Sequence, residues 1–169
     1  MAGNKYLKNN AGTPTEEASL QASAGAGDAG KIVALDAAGK IDNSMMPTGI
    51  GADTASIVTS ENLAAGDLVN VYNVAGTATA RKADATTAGK EAHGFVLAAV
   101  TAPAAATVYF EGSNTAVTGL TPGVQFLATT AGGATVTCPA AAGNVAQKVG
   151  VATSATNLNF EAQQHIVLA

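Results

Sequence analysis

From Ser60 onward, apolar and polar residues alternate in short runs closed by glycine. Leu68 to Val74, Thr77 to Lys82 and Thr107 to Glu111 send side chains to two faces in turn, the period-two pattern of half-buried strands. Ala92 to Val100 (AHGFVLAAV) is continuously apolar around Gly94 and predicts a strand buried on both faces. Helices have almost no place in this part of the chain.

The preceding stretch, Met1 to about Thr54, is irregular. Asn9-Asn10-Ala11-Gly12 is a turn signal, and Thr13-Pro14-Thr15-Glu16 resembles a capping box with proline at the first helical position. A hairpin joining Tyr6 and Leu7 to Thr15 through Leu20 competes with that helix. It is preferred because Glu16 to Gln21 is too short to be a stable helix alone. Ser23 to Gly30 reads as a flexible Ala/Gly linker, Lys31 to Leu35 as a strand, Asp36 to Gly39 as a turn, Lys40 to Asp42 as a return, and Met45-Met46-Pro47 as an apolar stop. Together these predict an N-terminal arm with a hairpin over residues 1–54.

The glycine punctuation repeats. Gly66 and Gly76 are ten apart, as are Gly123 and Gly133. Gly94-Phe95-Val96 follows Gly66 by 28 residues, Gly150-Val151-Ala152 follows Gly123 by 27, and the two blocks close on Phe110-Glu111 and Phe160-Glu161. This predicts a β unit of about 56 residues duplicated within residues 55–169, over about 60–111 and 118–161. The fold class expected is all-β: a small Gly/Ala/Thr-rich β-barrel or β-sandwich with a duplicated β unit and an extended N-terminal arm.

Composition thins this core. Of 169 residues, 39 are Ala, 20 Thr and 19 Gly, so the 47% hydrophobic content is largely methyl groups. A net charge of -4 and 15 valines in alternating runs argue against disorder. So thin a core in so small a protein predicts oligomerisation. Charge is also unevenly placed: from Gly112 to Ala169 the charged side chains are Lys148 and Glu161, and the other 18 lie before Gly112. A surface this bare reads as one covered by copies of the same chain; a solvated Thr/Asn-rich β surface on a monomer is the competing reading.

Charge and motifs exclude most chemistry. Eight basic residues, none clustered beyond Arg81-Lys82, give no electrostatic footprint for nucleic acid. No apolar run approaches the roughly 20 residues of a membrane helix, and MAGNKYLKNN has no apolar signal core behind its lysines, which predicts a chain made and kept soluble in a cytoplasm. Cys138, the single cysteine, reads as a small strand residue before Pro139. The string from Gly25 to Lys31 fits GxGxxG and nearly fits a phosphate loop, yet it lacks the following helix and the hydroxyl beside the lysine. His93 and His165, 72 residues apart, have no ligand spacing around them, and His93 reads as packing. Asp36 and Asp42 read as turn carboxylates rather than a calcium loop. No nucleophile-base-acid set is visible, so no enzyme, metal or cofactor is expected.

Six strings carry a resemblance: KIVALDAAGKIDNSMMPTGIG (Lys31 to Gly51), SENLAAGDLVNVY (Ser60 to Tyr72), RKADAT (Arg81 to Thr86), AHGFVLAAV (Ala92 to Val100), TGLTPGVQFLATTAGG (Thr118 to Gly133) and QKVGVATSATNLNFE (Gln147 to Glu161). They resemble tailed-bacteriophage head decoration, or capsid cement, proteins. Similar Gly-Leu-Thr-Pro-Gly and Val-Gly-Val-Ala blocks occur in head-fibre and tail-fibre modules, although Gln125-Phe126 stands where such modules often carry paired aromatics. The resemblance implies a structural virion protein on the outer surface of the capsid, assembled in the host cytoplasm. It would be a homotrimer whose partner is the major capsid protein. The alternative it implies is a fibre module for a host receptor or glycan, against which three tyrosines and no tryptophan weigh. Within the arm, Ile32, Leu35, Ile41, Met45, Met46 and Ile50 are the apolar residues expected to contact the capsid; packing against their own barrel is the competing expectation.

Overall fold

A computed structural model describes residues 5–46 and 51–169. The chain divides into two compact units, Met1–Gly51 and Ala52–Ala169.

In the first unit the hairpin reading is the one that forms. Strands β1 (Lys5–Asn10) and β2 (Thr13–Ala18) pair antiparallel through the two-residue turn Ala11-Gly12, with φ of 50° and 92°. This turn geometry matches the twist of the strands it joins. Lys5–Glu16 and Lys8–Glu17 ion pairs bridge the strands at 3.1 and 3.2 Å.

Three expectations for this unit are corrected. The stretch Ser23 to Gly30 contains a 3-10 turn, Ala26–Asp28, rather than featureless linker. Its Asp28 carboxylate accepts from the Ala24 amide (2.7 Å) and from Lys31 Nζ (3.0 Å). Lys31 to Leu35 forms no strand: one parallel bridge, Leu20 to Val33, is its sheet contact among the described residues. The return at Lys40 to Asp42 reduces to the Asp36 amide donating to the Lys40 carbonyl at 2.8 Å. A strand exists by pairing, and β-prone residues without a ladder stay extended coil.

The regular elements of the second unit are all strands. A closed barrel holds β3 (Thr54–Thr59), β5 (Thr77–Lys82), β4 (Leu68–Val74), β6 (Gly94–Val96) and β7 (Ala105–Tyr109) in that order. An open sheet follows, in the order β10 (Ala134–Thr135), β9 (Gly123–Leu127), β11 (Val145–Ser154), β12 (Asn157–Phe160), β8 (Gly112–Asn114), with β13 (His165–Val167) beside β11. The predicted strand at Ala92 to Val100 shrinks to the fully buried Gly94–Val96; Ala98 and Ala99 are exposed and Val100 makes a single bridge to Leu63.

The duplication is visible in register. Superposing Gly94 on Gly150 places Tyr109 (opposite Phe95) on Asn159 (opposite Val151), and Val108 on Leu158. The neighbours follow: β4 lies on β6 as β9 lies on β11, β5 on β4 as β10 on β9, and β3 on β7 as β8 on β12, all antiparallel. Both glycines are demanded by the same approach of backbone. A Cβ on Gly94 would fall 2.5 Å from the Tyr109 carbonyl oxygen, and one on Gly150 would collide with the carbonyl oxygen of Asn159.

One pairing of the barrel is missing from the second repeat. Val58–Thr59 pair parallel with Thr79–Ala80 and close the barrel; the corresponding residues are Val117–Thr118 and Gly133–Ala134. Between these lies a cleft of about 230 Å³, whose wall includes Ala65 to Leu68, the turn leading into β4. Asn114 Nδ2 donates to the Gly66 carbonyl and the Leu68 amide to the Gly132 carbonyl, each at 2.9 Å. The first repeat thus wedges its own turn into the seam of the second. A Cβ on Gly66 would meet the Ala116 oxygen at 2.6 Å, so the wedge admits no side chain there.

Two apolar cores result. Ile57, Leu63, Val69, Ala80, Val96, Ala106 and Val108 fill the closed barrel. Leu68 and Phe95 of the first repeat pack with Leu127, Val149, Leu158 and Phe160 of the second, where Phe95 stacks on Tyr109 and meets Phe160 edge-on at 5.5 Å. Gln147, 3% exposed, ties the halves through both the amide (2.8 Å) and the carbonyl (3.0 Å) of Ala92. Gly94→Ala and Gly150→Ala are each expected to lower the unfolding free energy by about 2 kcal/mol, the cost of forcing a methyl into packed backbone. Urea titration measures it.

Candidate partner-contact surface

None of the described residues 5–46 is buried. A chain this short buries too little surface to stabilise itself without a staple or a partner. Its apolar residues are correspondingly open: Leu7 is 78% exposed, Ile32 and Leu35 53%, Ile41 51%.

Local hydrogen bonds position these side chains. Residues Leu20 to Ser23 act as a spine. The Leu20 amide donates to the Ile32 carbonyl and the Ala34 amide to the Leu20 carbonyl; Gln21 Nε2 donates to the Leu35 carbonyl (2.9 Å) and the Ser23 amide to Ser44 Oγ (2.8 Å). Ile32, Val33 and Leu35 are thereby fixed in backbone while their side chains stay in solvent. Ile41 precedes Asp42, which caps the 3-10 turn Asn43–Met45 by accepting from the Ser44 amide at 2.9 Å. Met45 is half-buried in that turn and Met46 is exposed. Ile50 lies outside the described residues. The structure therefore leaves Ile32, Leu35, Ile41 and Met46 available to a partner.

Sequence reading missed the parts that hold this surface: Asp28, the Gln21–Ser23 spine, and the exposed Leu7 and Val33. The one available signal was an acid four residues after Ala24 in a run of small residues, a turn-capping arrangement. The Ala24 N–H and the Lys31 ammonium hold the Asp28 carboxyl below the usual carboxylate range. The Ser44 hydroxyl and amide do the same for Asp42.

Elsewhere the chemistry is sparse. Among the described residues there is no group of metal-ligating side chains, and no helix is long and apolar enough to cross a membrane. His93 is exposed rather than packed, its Nδ1 accepting from the Val71 amide at 3.1 Å. Cys138 is half-buried but lies outside any strand. The Gly25 to Lys31 string carries the Asp28 turn and leads into extended chain. No family model, curated protein or solved structure matches this chain.

Two outcomes are expected. Replacing Ile32, Leu35, Ile41 and Met46 by Ser should move the unfolding of the second unit by less than about 0.5 kcal/mol, since exposed side chains contribute little; thermal melts check it. For pH the sign follows from the two depressed carboxyls: their stabilisation is complete above the ordinary carboxylate range and is lost as pH falls through the depressed values, below about pH 4. The Ala24 and Ser44 amide resonances should shift together there, and Asp28→Asn should abolish the acid response at Ala24 alone.

Proposed function

We propose that this chain is a capsid decoration, or cement, protein of a tailed bacteriophage, binding the outside of the head and bridging major capsid subunits. The observation that carries the proposal is a first unit in which none of the described residues is buried and which holds Ile32, Leu35, Ile41 and Met46 open to solvent. Covering each of these partly exposed side chains would contribute about 1 kcal/mol. Ordering costs reduce that sum for one copy, but many copies repeated by the symmetry of a shell accumulate a large avidity. Such binding requires no chemistry and adds free energy only to the assembled head.

The remaining features fit the same reading. The resemblance of six sequence strings supports a virion protein and a trimer. The outer face of the open sheet carries the adjacent exposed valines Val124 and Val151 in a region whose charged side chains are Lys148 and Glu161, a surface suited to a second copy. A glycan-binding fibre module needs aromatic faces open to a sugar. Here Tyr6, Tyr72 and Tyr109 are all partly covered, and Arg81 sits 4.2 Å over the ring of Tyr72.

The test removes residues 1–51. The remaining chain is expected to fold and to lose attachment to heads, as is the full chain with the four serine substitutions. Heads lacking the protein should assemble and adsorb to host cells normally but release DNA at lower temperature. Unchanged thermal stability with impaired adsorption would replace this reading with the fibre one. Light scattering should give a trimer mass; a monomer at micromolar concentration would remove that part.

A further inference from the structure

The C-terminal strand β13 is weakly held. It pairs three residues, His165 to Val167, with Gln147 to Val145 of β11, and all three are exposed, Ile166 by 67%. No apolar side chain of the strand is buried. Two side-chain contacts supplement the backbone ladder: Gln147 Nε2 donates to the Gln163 carbonyl at 3.2 Å, and His165 Nε2 lies 3.2 Å from a Glu91 carboxylate oxygen.

Glu91 is the fixed half of that second contact. It is 7% exposed, its carboxylate accepts from the Gly89 amide (2.8 Å), and its carbonyl accepts from Asn70 Nδ2 (2.8 Å). Arg81 holds the same loop, donating to the Gly89 carbonyl and to Asn70 Oδ1. His93 lies two residues along, its Nδ1 occupied by the Val71 amide; Lys90 is paired with Asp84, and β11 contributes the uncharged Gln147 and, next to it, Lys148. Burial opposes ionisation of Glu91. The Gly89 amide, its own amide and the two imidazoles more than offset this, and hold the carboxyl below its usual range.

We propose that the Glu91–His165 contact is a pH-operated latch on β13, closed when the imidazole is protonated and the carboxylate is not. Imidazoles change charge between pH 5 and 8. A charged imidazole on His165 has the Glu91 carboxylate 3.2 Å away only while β13 is docked, so acid conditions favour the docked strand. Opening uncovers the backbone edge of Val145 to Gln147, a row of donors and acceptors able to pair with another strand. Because Glu91 belongs to the first repeat and His165 follows the second and pairs with its strand β11, the latch also links the two repeats.

Hydrogen exchange of the full chain tests this at the Leu168 amide, which donates to the Asn144 carbonyl at 2.9 Å. After correction for intrinsic rates and referencing to β4 and β5 amides, protection at pH 5 should exceed that at pH 8 on the order of fivefold, as expected for one partly exposed ion pair. His165→Gln should flatten the profile, Glu91→Gln should do the same, and His93→Gln should leave it intact. A flat wild-type profile would overturn the latch, as would a pH dependence surviving in His165→Gln or abolished by His93→Gln.

Discussion

The turn Ala64 to Leu68 occupies the seam through which the second repeat would otherwise close into a barrel. Its Gly66 lies against the Ala116 backbone and receives the Asn114 amide, while Leu68 hands its own amide to Gly132. Two consequences follow from this one insertion. Val117–Thr118 cannot reach Gly133–Ala134, so the second sheet stays open. Leu68 and Phe95 are carried onto Leu127, Leu158 and Phe160, so the repeats share a core. A chain built from alanine, threonine and glycine has few large side chains to spend. Pooling the buried phenylalanines Phe95 and Phe160 at the junction leaves the closed barrel to be filled by Ile57 and Leu63 with valines and alanines such as Val69, Ala80 and Ala106.

The first unit stands in contrast. It is organised by polar groups, namely the Lys–Glu pairs of the hairpin, the Asp28 and Asp42 caps and the Gln21–Ser23 spine, and none of its described residues is buried. Hydrogen bonds of this exposed kind define local shape but contribute little net stability. The apolar side chains they display are therefore free to act on a partner. This division of labour, a body with its own cores and an arm whose described residues form none, is what the cement proposal uses.

How much of this the sequence discloses depends on whether a feature is local or relational. The Gly94 and Gly150 correspondence could be read from spacing because one backbone contact imposes the same residue twice. The hairpin at Ala11-Gly12 was legible because turn chemistry is local. Lys31 to Leu35 misled because its β-branched residues report a preference for extension, not the presence of a neighbour. The strands β3 and β8 that begin the two repeats fell outside the blocks defined by glycine, and β8 is three residues long. The wedge was invisible, since nothing in Ala64-Ala65-Gly66 states which distant backbone it will touch. The surface residues Ile32, Leu35, Ile41 and Met46 could be named from hydropathy, but their exposure depended on the described residues of the unit forming no core to absorb them.

Electron microscopy of decorated heads tests the central claim most directly. Density for the first unit should lie on major capsid subunits, with Ile32, Leu35, Ile41 and Met46 covered by them. Heads bearing the chain through the second unit alone, with those four side chains still in solvent, would contradict it.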